Sequence, residues 1–404
     1  MSLQAGAICP RPQPAADEHF LPYVFHPRRY IGALLDFEEK RKSPTKNDEQ
    51  LLEEMKMSVS YLGKKVYIGL DVHKKTFAIT AICDGVVIKK ATLAANPDAL
   101  KTFFTNHFSG AEIVCGYEAG FSGFHLQRKI SSWGYDCLVI NPGSLEVAAR
   151  DRVKTDKRDS LKIAEHLAHK RINGICVPDA ETEEARMLSR SRSQFVEERS
   201  RAGIRIKSKL HQLGLMNCND ERVMSRKYIE EVRSLNVSAT VKFVLEEFCS
   251  FWLRLDDQIS AFDRKLAEQA QADSKVEAVY RSVPGIGPVT SRVLANELVD
   301  MSQFKNEDRL FSFLGLTPTE NSSGDTQRKG HISRQGNPRI RHALIEIAWR
   351  AISQDEALRL VHQRISSRAG AKRAIVAVAR RIIGRIRACF SKGKDWQLNF
   401  GLTA

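Results

Sequence analysis

No stretch of the 404-residue chain approaches the ~18 consecutive apolar residues that a membrane-spanning helix needs, which excludes an integral membrane protein of the helical kind. Cysteine is sparse and scattered: eight residues with no Cys-x-x-Cys pair, a pattern that argues against a disulfide framework or a cysteine-built zinc site and fits a reducing cytosol. Residues 1–13 lack a basic segment followed by an apolar one, so a secretory signal is not expected. Acidic residues are in short supply, 48 against 63 Lys and Arg, which leaves a net charge of +15. That surplus points to a polyanionic partner, most often nucleic acid; a basic enzyme with another substrate is the alternative that charge alone leaves open. With 42% hydrophobic and 27% charged residues the composition is globular, and the length suggests two or three domains.

Charge is unevenly placed. Residues 1–57 carry 8 basic and 9 acidic residues, and six of the 13 prolines fall in the first 44. Such a Pro-rich, charge-mixed leader is expected to be poorly ordered. The most basic part lies between 328 and 394, with 17 basic and 3 acidic residues, a net +14. Its arginines include Arg339, Arg341, Arg350, Arg380, Arg381, Arg385 and Arg387 on expected helices, and the acidic residues that would balance a merely solvated face are missing.

Between 65 and 175 strand and helix signals alternate. KVYIGLDV (65–72), FAITAIC (77–83), GVVIKKATL (85–93), EIVCGYE (112–118) and YDCLVI (135–140) read as strands. Helices are expected after Asn96-Pro97, over 122–133 and over 156–170. Three strands followed by strand–helix alternation imply a mixed α/β sheet domain. Residues 181–280 read as helical throughout. Val241, Leu245, Phe248, Trp252, Leu255, Ile259, Phe262 and Leu266 recur at steps of 4 and 3, an apolar heptad seam. It fits either a coiled coil joining protomers or an antiparallel hairpin closed within one chain. Beyond 281 a mainly helical domain is expected, up to about 390, with 391–404 as a tail.

Four carboxylates stand in an order that suits metal chemistry. Asp71 and Glu118 end strand-like runs, while Asp156 and Asp159 share one face of an expected helix. Clustered carboxylates repel and call for cations, and hard Mg²⁺ or Mn²⁺ takes oxygen ligands. Singly, each is as easily a surface acid, and Asp156 and Asp159 have Lys154, Lys157 and Arg158 beside them. His73 lies next to Asp71; His166 and His169 are an i,i+3 pair without a third ligand. VPGIGPVTS (283–291) resembles a helix-hairpin-helix turn, whose Gly285 and Gly287 would let backbone N–H groups approach a phosphate. In 313–344, Ser322-Ser323-Gly324 makes a turn, followed by Arg328, Lys329, His331 and Arg334, and Asn337-Pro338 reads as a helix cap. A serine beside cations is a candidate nucleophile toward a phosphodiester, although Ser-Gly is also ordinary turn chemistry.

The succession GLDVHKK, YEAG, KTDKRDS, PGIGPVTS, FLGLTP, SSG and GHISRQGN resembles the insertion-sequence-110 transposases, which include the Piv-type DNA invertases, over about residues 64–390. The resemblance implies an RNase H-like, RuvC-like domain over 64–180 with a DEDD set mapping to Asp71, Glu118, Asp156 and Asp159 around Mg²⁺ or Mn²⁺. It implies a coiled-coil region over 181–280 that assembles dimers or tetramers. It further implies a serine transposase domain over 281–390 whose nucleophile maps to Ser323, with Ser322 one position away. It also implies DNA recombination, in at least some members guided by an element-encoded bridge RNA, in the bacterial cytoplasm at the nucleoid. Two rival readings are a metal-dependent RuvC-like endonuclease that needs no serine and a non-catalytic nucleic-acid-binding protein.

Residues 1–57 fall outside that resemblance, and Met55 and Met57 precede the first strand. Translation is therefore expected to start there in the native protein. N-terminal sequencing of native material checks this, and a peptide from within residues 5–40 counts against it.

Overall fold

The computed structural model describes residues 61–145, 156–217, 219, 221–320 and 329–401; at 156, 157 and 329 it describes the backbone alone. The expected N-terminal extension, Met55 and Met57 lie outside the described residues. The chain divides into two units. In the smaller, which includes 61–65 and 103–112, Gly63 N donates to Gly110 O at 3.0 Å and Glu112 N to Lys64 O at 2.9 Å. Phe108 meets Tyr61 and Phe103 edge to face at 5.6 and 5.8 Å.

The first part of the chain forms a five-stranded sheet. Its strands are β1 (Lys65–Val72), β2 (Thr76–Cys83), β3 (Val86–Ala94), β4 (Glu112–Glu118) and β5 (Asp136–Ile140), in the order β3-β2-β1-β4-β5. β1–β2 and β2–β3 are antiparallel, and β4–β5 is parallel, so the sheet is mixed as the alternation of signals implied. All five strand runs lie where their β-branched and apolar residues put them. β2 is buried along nearly its whole length, whereas the outer strand β3 is mostly exposed and carries Lys89 and Lys90. Such edge lysines discourage further strand pairing. β4 and β5 bring Cys115 opposite Cys137, a pairing that scattered sequence positions did not suggest. A hydrogen bond with Cys137 and then burial hold the Cys115 thiol well above its usual range, so it is a core group and not a reactive one.

Helices α1 (Pro97–His107), α2 (His125–Ser132) and α3 (Asp156–Ala168) follow their strands. α2 starts later than expected because Gly123 turns the chain with φ +57° and its carbonyl accepts from the Tyr117 hydroxyl at 2.9 Å. α3 lies against the sheet. Its Ser160 Oγ meets Thr80 Oγ1 of β2 at 2.9 Å in a buried contact, and Ile163 and Leu167 pack with Ile140 of β5. Strand β1 has glycine at the crossing point: a Cβ on Gly69 would stand 1.9 Å from Ser160 O and 2.6 Å from Ala164 N.

Residues 180–281 are helical but broken. α4 (Ala180–Gln212), α5 (Arg226–Arg233), α6 (Ala239–Ala272) and α7 (Ser274–Arg281) are separate helices. α4 stops where Gly214 adopts φ +67°. α4 and α6 pack side by side and antiparallel, with Arg192 paired to Asp263 at 2.5 Å, Arg199 to Asp256, and Phe195 against Phe262 at 5.2 Å. Of the heptad seam, Leu245, Trp252, Leu255, Ile259 and Leu266 are buried, and Val241, Phe248 and Phe262 are partly so. The chain thus closes the seam within itself, one of the two arrangements the heptads allowed.

The last part is mainly helical: α8 (Pro288–Leu298), α9 (Glu307–Phe313), the two-stranded β6 (Pro318–Glu320) and β7 (Lys329–Ile332), then α10 (Pro338–Gln354), α11 (Glu356–Ala369) and α12 (Ala371–Lys392). Leu294, Leu310, Leu344, Ile347, Leu358, Val378 and Ile382 belong to one buried cluster. Within the segment 391–404, expected as a tail, Trp396 is stitched to it. Trp396 Nε1 donates to the buried Asp355 at 3.1 Å, Trp396 N donates to Ser282 Oγ at 3.0 Å, and the Arg385 guanidinium lies 3.7 Å over the Trp396 ring. Among the described residues no helix is long and apolar enough to cross a membrane.

Replacing Gly69 forces strand and helix backbones apart, which side-chain rearrangement cannot relieve. Gly69→Ala is expected to lose roughly 3 kcal/mol or more of stability, read as a lower urea midpoint with an unchanged slope.

Candidate active site and nucleic-acid surface

Asp71 is the seventh residue of β1 and Glu118 the seventh of the neighbouring β4. The two strands start together, since Glu112 N donates to Lys64 O at 2.9 Å. Both carboxylates therefore come at the same end of the sheet. Asp71 is largely covered, its side chain 18% exposed, and His73 Nε2 lies 3.1 Å from its Oδ2. Asp159 is half-buried on α3, next in sequence to the Ser160 that rests on Gly69, two residues from Asp71. Asp156 is the first residue of the same helix, and its side chain lies outside the description. The Gly69 crossing thus holds the helix of Asp156 and Asp159 against the strand of Asp71.

The turn after Glu118 is fixed from beneath. Tyr117, fully buried, donates to Gly123 O and accepts from Gln127 N at 3.2 Å. Burial pushes its phenol above the usual range, so the proton that makes the first of these bonds stays in place. Ala119 N donates to Ile140 O at 2.7 Å. Phe121 stands on this anchored turn 71% exposed, a feature no sequence pattern had singled out. Carboxylate oxygens are the donors that a hard divalent cation prefers. Among the described residues no three His, Cys, Asp or Glu side chains are grouped to hold a metal ion. His169 Nδ1 lies 2.7 Å from Glu165 O within its own helix.

The second group of expected residues falls in the C-terminal part. Ser322, Ser323 and Arg328 lie outside the described residues, between β6 and β7; Lys329 opens β7. Gly285 and Gly287 sit between α7 and α8. Gly285 has φ +82°, and a Cβ there would be 2.8 Å from Arg350 Cβ and 3.2 Å from Ile347 O, so this glycine is used to seat the turn on α10. Gly287 is the N-cap of α8, and nothing stands within 4 Å of where its side chain would be. Arg334 and Arg339 are exposed. Arg341 is drawn inward, donating to Leu314 O at 2.8 Å; burial, then the charge of Arg334, pull its guanidinium below its ordinary range. Asn337 caps α10 through Arg339 N and Ile340 N, as expected.

Sequence reasoning did not find the ion pair beneath that cap. Glu297, on α8 and 1% exposed, accepts Arg190 in a two-pronged pair at 2.7 and 2.8 Å and the Asn337 side-chain amide at 2.9 Å. Arg186 adds bonds to Asn296 O at 3.1 Å and Glu297 O at 2.9 Å, which satisfy the last carbonyls of α8. At the start of α4, Arg128 of α2 pairs with Glu183 at 2.6 Å and donates to Pro178 O at 2.9 Å. The first turns of α4 therefore tie the sheet's α2 to α8 and α10. No local pattern marks a buried acid whose partners lie 107 positions upstream and 40 downstream.

Comparison with known proteins agrees with this two-part layout. Residues 68–214 match the DEDD transposase model of IS110-type elements, and residues 278–363 match the model described as "Transposase IS116/IS110/IS902 family". The chain is similar to the transposase for insertion sequence element IS1533 of Leptospira borgpetersenii, 26% identical over 81% of this chain and 96% of that protein. It is similar to the transposase for IS1111A of Coxiella burnetii, 24% identical over 77% of this chain and 86% of that protein. The match to the protein of Sinorhizobium fredii with the name "Putative transposase y4qE" is 28% identical and spans 58% of this chain and 57% of that protein.

Removing the Glu297 carboxylate leaves Arg190 and the Asn337 amide without their shared acceptor. Glu297→Ala is expected to cost about 2–3 kcal/mol, less than a fully buried pair because Arg190 reaches solvent. Glu297→Gln, which still accepts from one partner, is expected to lose less. Chemical denaturation of both variants checks the order.

Proposed function

Because the chain belongs to the IS110 family of insertion-sequence transposases, we propose that it cuts and rejoins DNA through a covalent phosphoserine. The observation that carries the proposal is the arrangement at one sheet end: Asp71 and Glu118 side by side on β1 and β4, with the helix of Asp156 and Asp159 clamped on Gly69. In this reading Asp71, Glu118, Asp156 and Asp159 hold Mg²⁺, or Mn²⁺, which when bound stabilises charge at the scissile phosphate. Ser323 Oγ, with Ser322 the alternative, attacks phosphorus. One phosphoester bond to serine forms, the bond to one deoxyribose oxygen breaks, and that oxygen leaves with a proton. A hydroxyl of the joining strand then attacks the phosphoserine and restores the serine, so the ester bond energy is conserved throughout.

The proposal extends to partners. Gly287 at the open start of α8, and Arg328, Lys329, Arg334 and Arg339, contact phosphates, while Gly285 and Arg341 hold these elements in place. An element-encoded bridge RNA pairs with donor and target DNA, so the protein itself reads backbone and shape. Support for that comes from the strongly basic C-terminal part and the lack of a base-reading motif. Since the heptad seam is used within the chain, a homo-oligomer would form through the outer face of the α4–α6 hairpin, where Ile204 and Phe243 are 68% and 67% exposed. In domain terms, 64–180 supplies the carboxylates, 181–280 the hairpin and 281–390 the serine.

The test mixes the full chain with its flanking element RNA, Mg²⁺ and labelled donor DNA, then looks for label bound to protein after denaturation in SDS. A stable adduct is expected, lost in Ser323→Ala and in Asp71→Ala, with nucleic-acid binding retained in both. Adduct surviving in Ser323→Ala but lost in Ser322→Ala reassigns the nucleophile. Free cut DNA without adduct would mean a metal-dependent nuclease instead.

A further inference from the structure

We infer that Trp349 is a stacking platform for an unpaired base of a DNA strand. Helix α10 buries Ile340, Leu344, Ile347, Ala348 and Ala351 on one side. Its other side presents Arg339, His342, Glu346, Trp349 and Ser353, all exposed and spaced 3, 4, 3 and 4 residues apart. Trp349 is 45% exposed, a single large aromatic ring in an otherwise polar stripe, with Arg350 exposed beside it. Arg339 and Arg350 form no ion pair among the described residues.

The indole does not hang free. The His362 imidazole of α11 packs against it, ring centroids 5.6 Å apart and planes inclined by 60°. His362 Nε2 is itself buried without a hydrogen-bond partner. One side of the ring is thus supported while the residue keeps nearly half its surface in solvent. The support lowers the rotamer entropy lost when a flat group settles on the ring.

The occupant follows from shape and charge. A protein partner would need a contiguous apolar patch, and protein interfaces bury their aromatics within one; here the aromatic stands alone among polar neighbours. A single base needs only one ring face, together with cations for the phosphates on either side. Arg339 and Arg350, exposed on the same helix, supply those cations. The choice of DNA rests on the transposase reading; stacking on a supported indole does not. A paired base has both faces covered within the duplex, so the site selects strand segments that are opened or displaced.

The experiment is a binding measurement that involves no strand cleavage, so failure of the phosphoserine reading leaves it interpretable. Full-length protein is titrated with a single strand of about 20 nucleotides containing one 2-aminopurine, with the same sequence as a duplex, and with its RNA counterpart. Trp349→Ala and Trp349→Leu are each expected to weaken single-stranded DNA binding roughly tenfold and to abolish the stacking quench of 2-aminopurine. Trp349→Phe is expected to keep most of both. Duplex binding and the salt dependence of binding should not change, because no phosphate contact is lost. Arg350→Ala should reduce the salt slope by about one. Folding of each variant is read from its thermal midpoint, and Trp349→Leu retains apolar packing against His362 should Trp349→Ala unfold. Equal weakening on duplex and single strand, unchanged binding in all variants, loss confined to RNA, or a changed oligomeric state would each overturn the assignment.

Discussion

Helix α3 and strand β1 meet backbone to backbone at Gly69, closer than any side chain permits. Much of the site's geometry depends on that contact. It fixes the height of α3 above the sheet, and the buried Thr80–Ser160 hydroxyl pair fixes its position along β2. Backbone packing thereby sets the spacing between the strand of Asp71 and the helix of Asp156 and Asp159.

The same division of labour appears in the basic C-terminal part. Arg387 donates to Phe304 O and Lys305 O, Arg341 to Leu314 O, and Arg385 and Arg380 lie over Trp396 and Phe311. These arginines hold the helices together. Arg334, Arg339, Arg350 and Arg381 remain at the surface. A net charge counted over a segment therefore overstates what is available to a polyanion, and only the structure separates the two groups. Glu297 belongs to the first kind of interaction, a single buried acid on which α4, α8 and α10 converge.

Much of the sheet was legible in the sequence because period-two apolar runs and turn residues are local signals. KVYIGLDV and EIVCGYE coincide with β1 and β4 to the residue. The carboxylates stood out because Asp71 and Glu118 lie at or next to strand ends and Asp156 begins a helix. What could not be read was long-range: whether the heptad seam would close within one chain, which of the PGIGP glycines serves packing, and that Glu297 would find Arg190 and Asn337. The breaks at Gly214 and near 234–238 escaped because helical periodicity continues on either side of them. Trp349 escaped because an aromatic within a helical pattern is usually core, and only its accessible surface distinguishes it.

The end of the chain closes the C-terminal core as well as following it. Asp355 is almost wholly buried, and its partners include the indole N–H of Trp396 and the Arg385 guanidinium, which in turn is covered by the Trp396 ring. For the gene this means that a stop codon at position 395 is far from silent. It would strip the buried carboxylate of its indole donor and uncover Arg385, although every residue assigned to chemistry lies upstream. Damage to such a copy would appear first as a loss of folded protein, with the coding sequence upstream still intact.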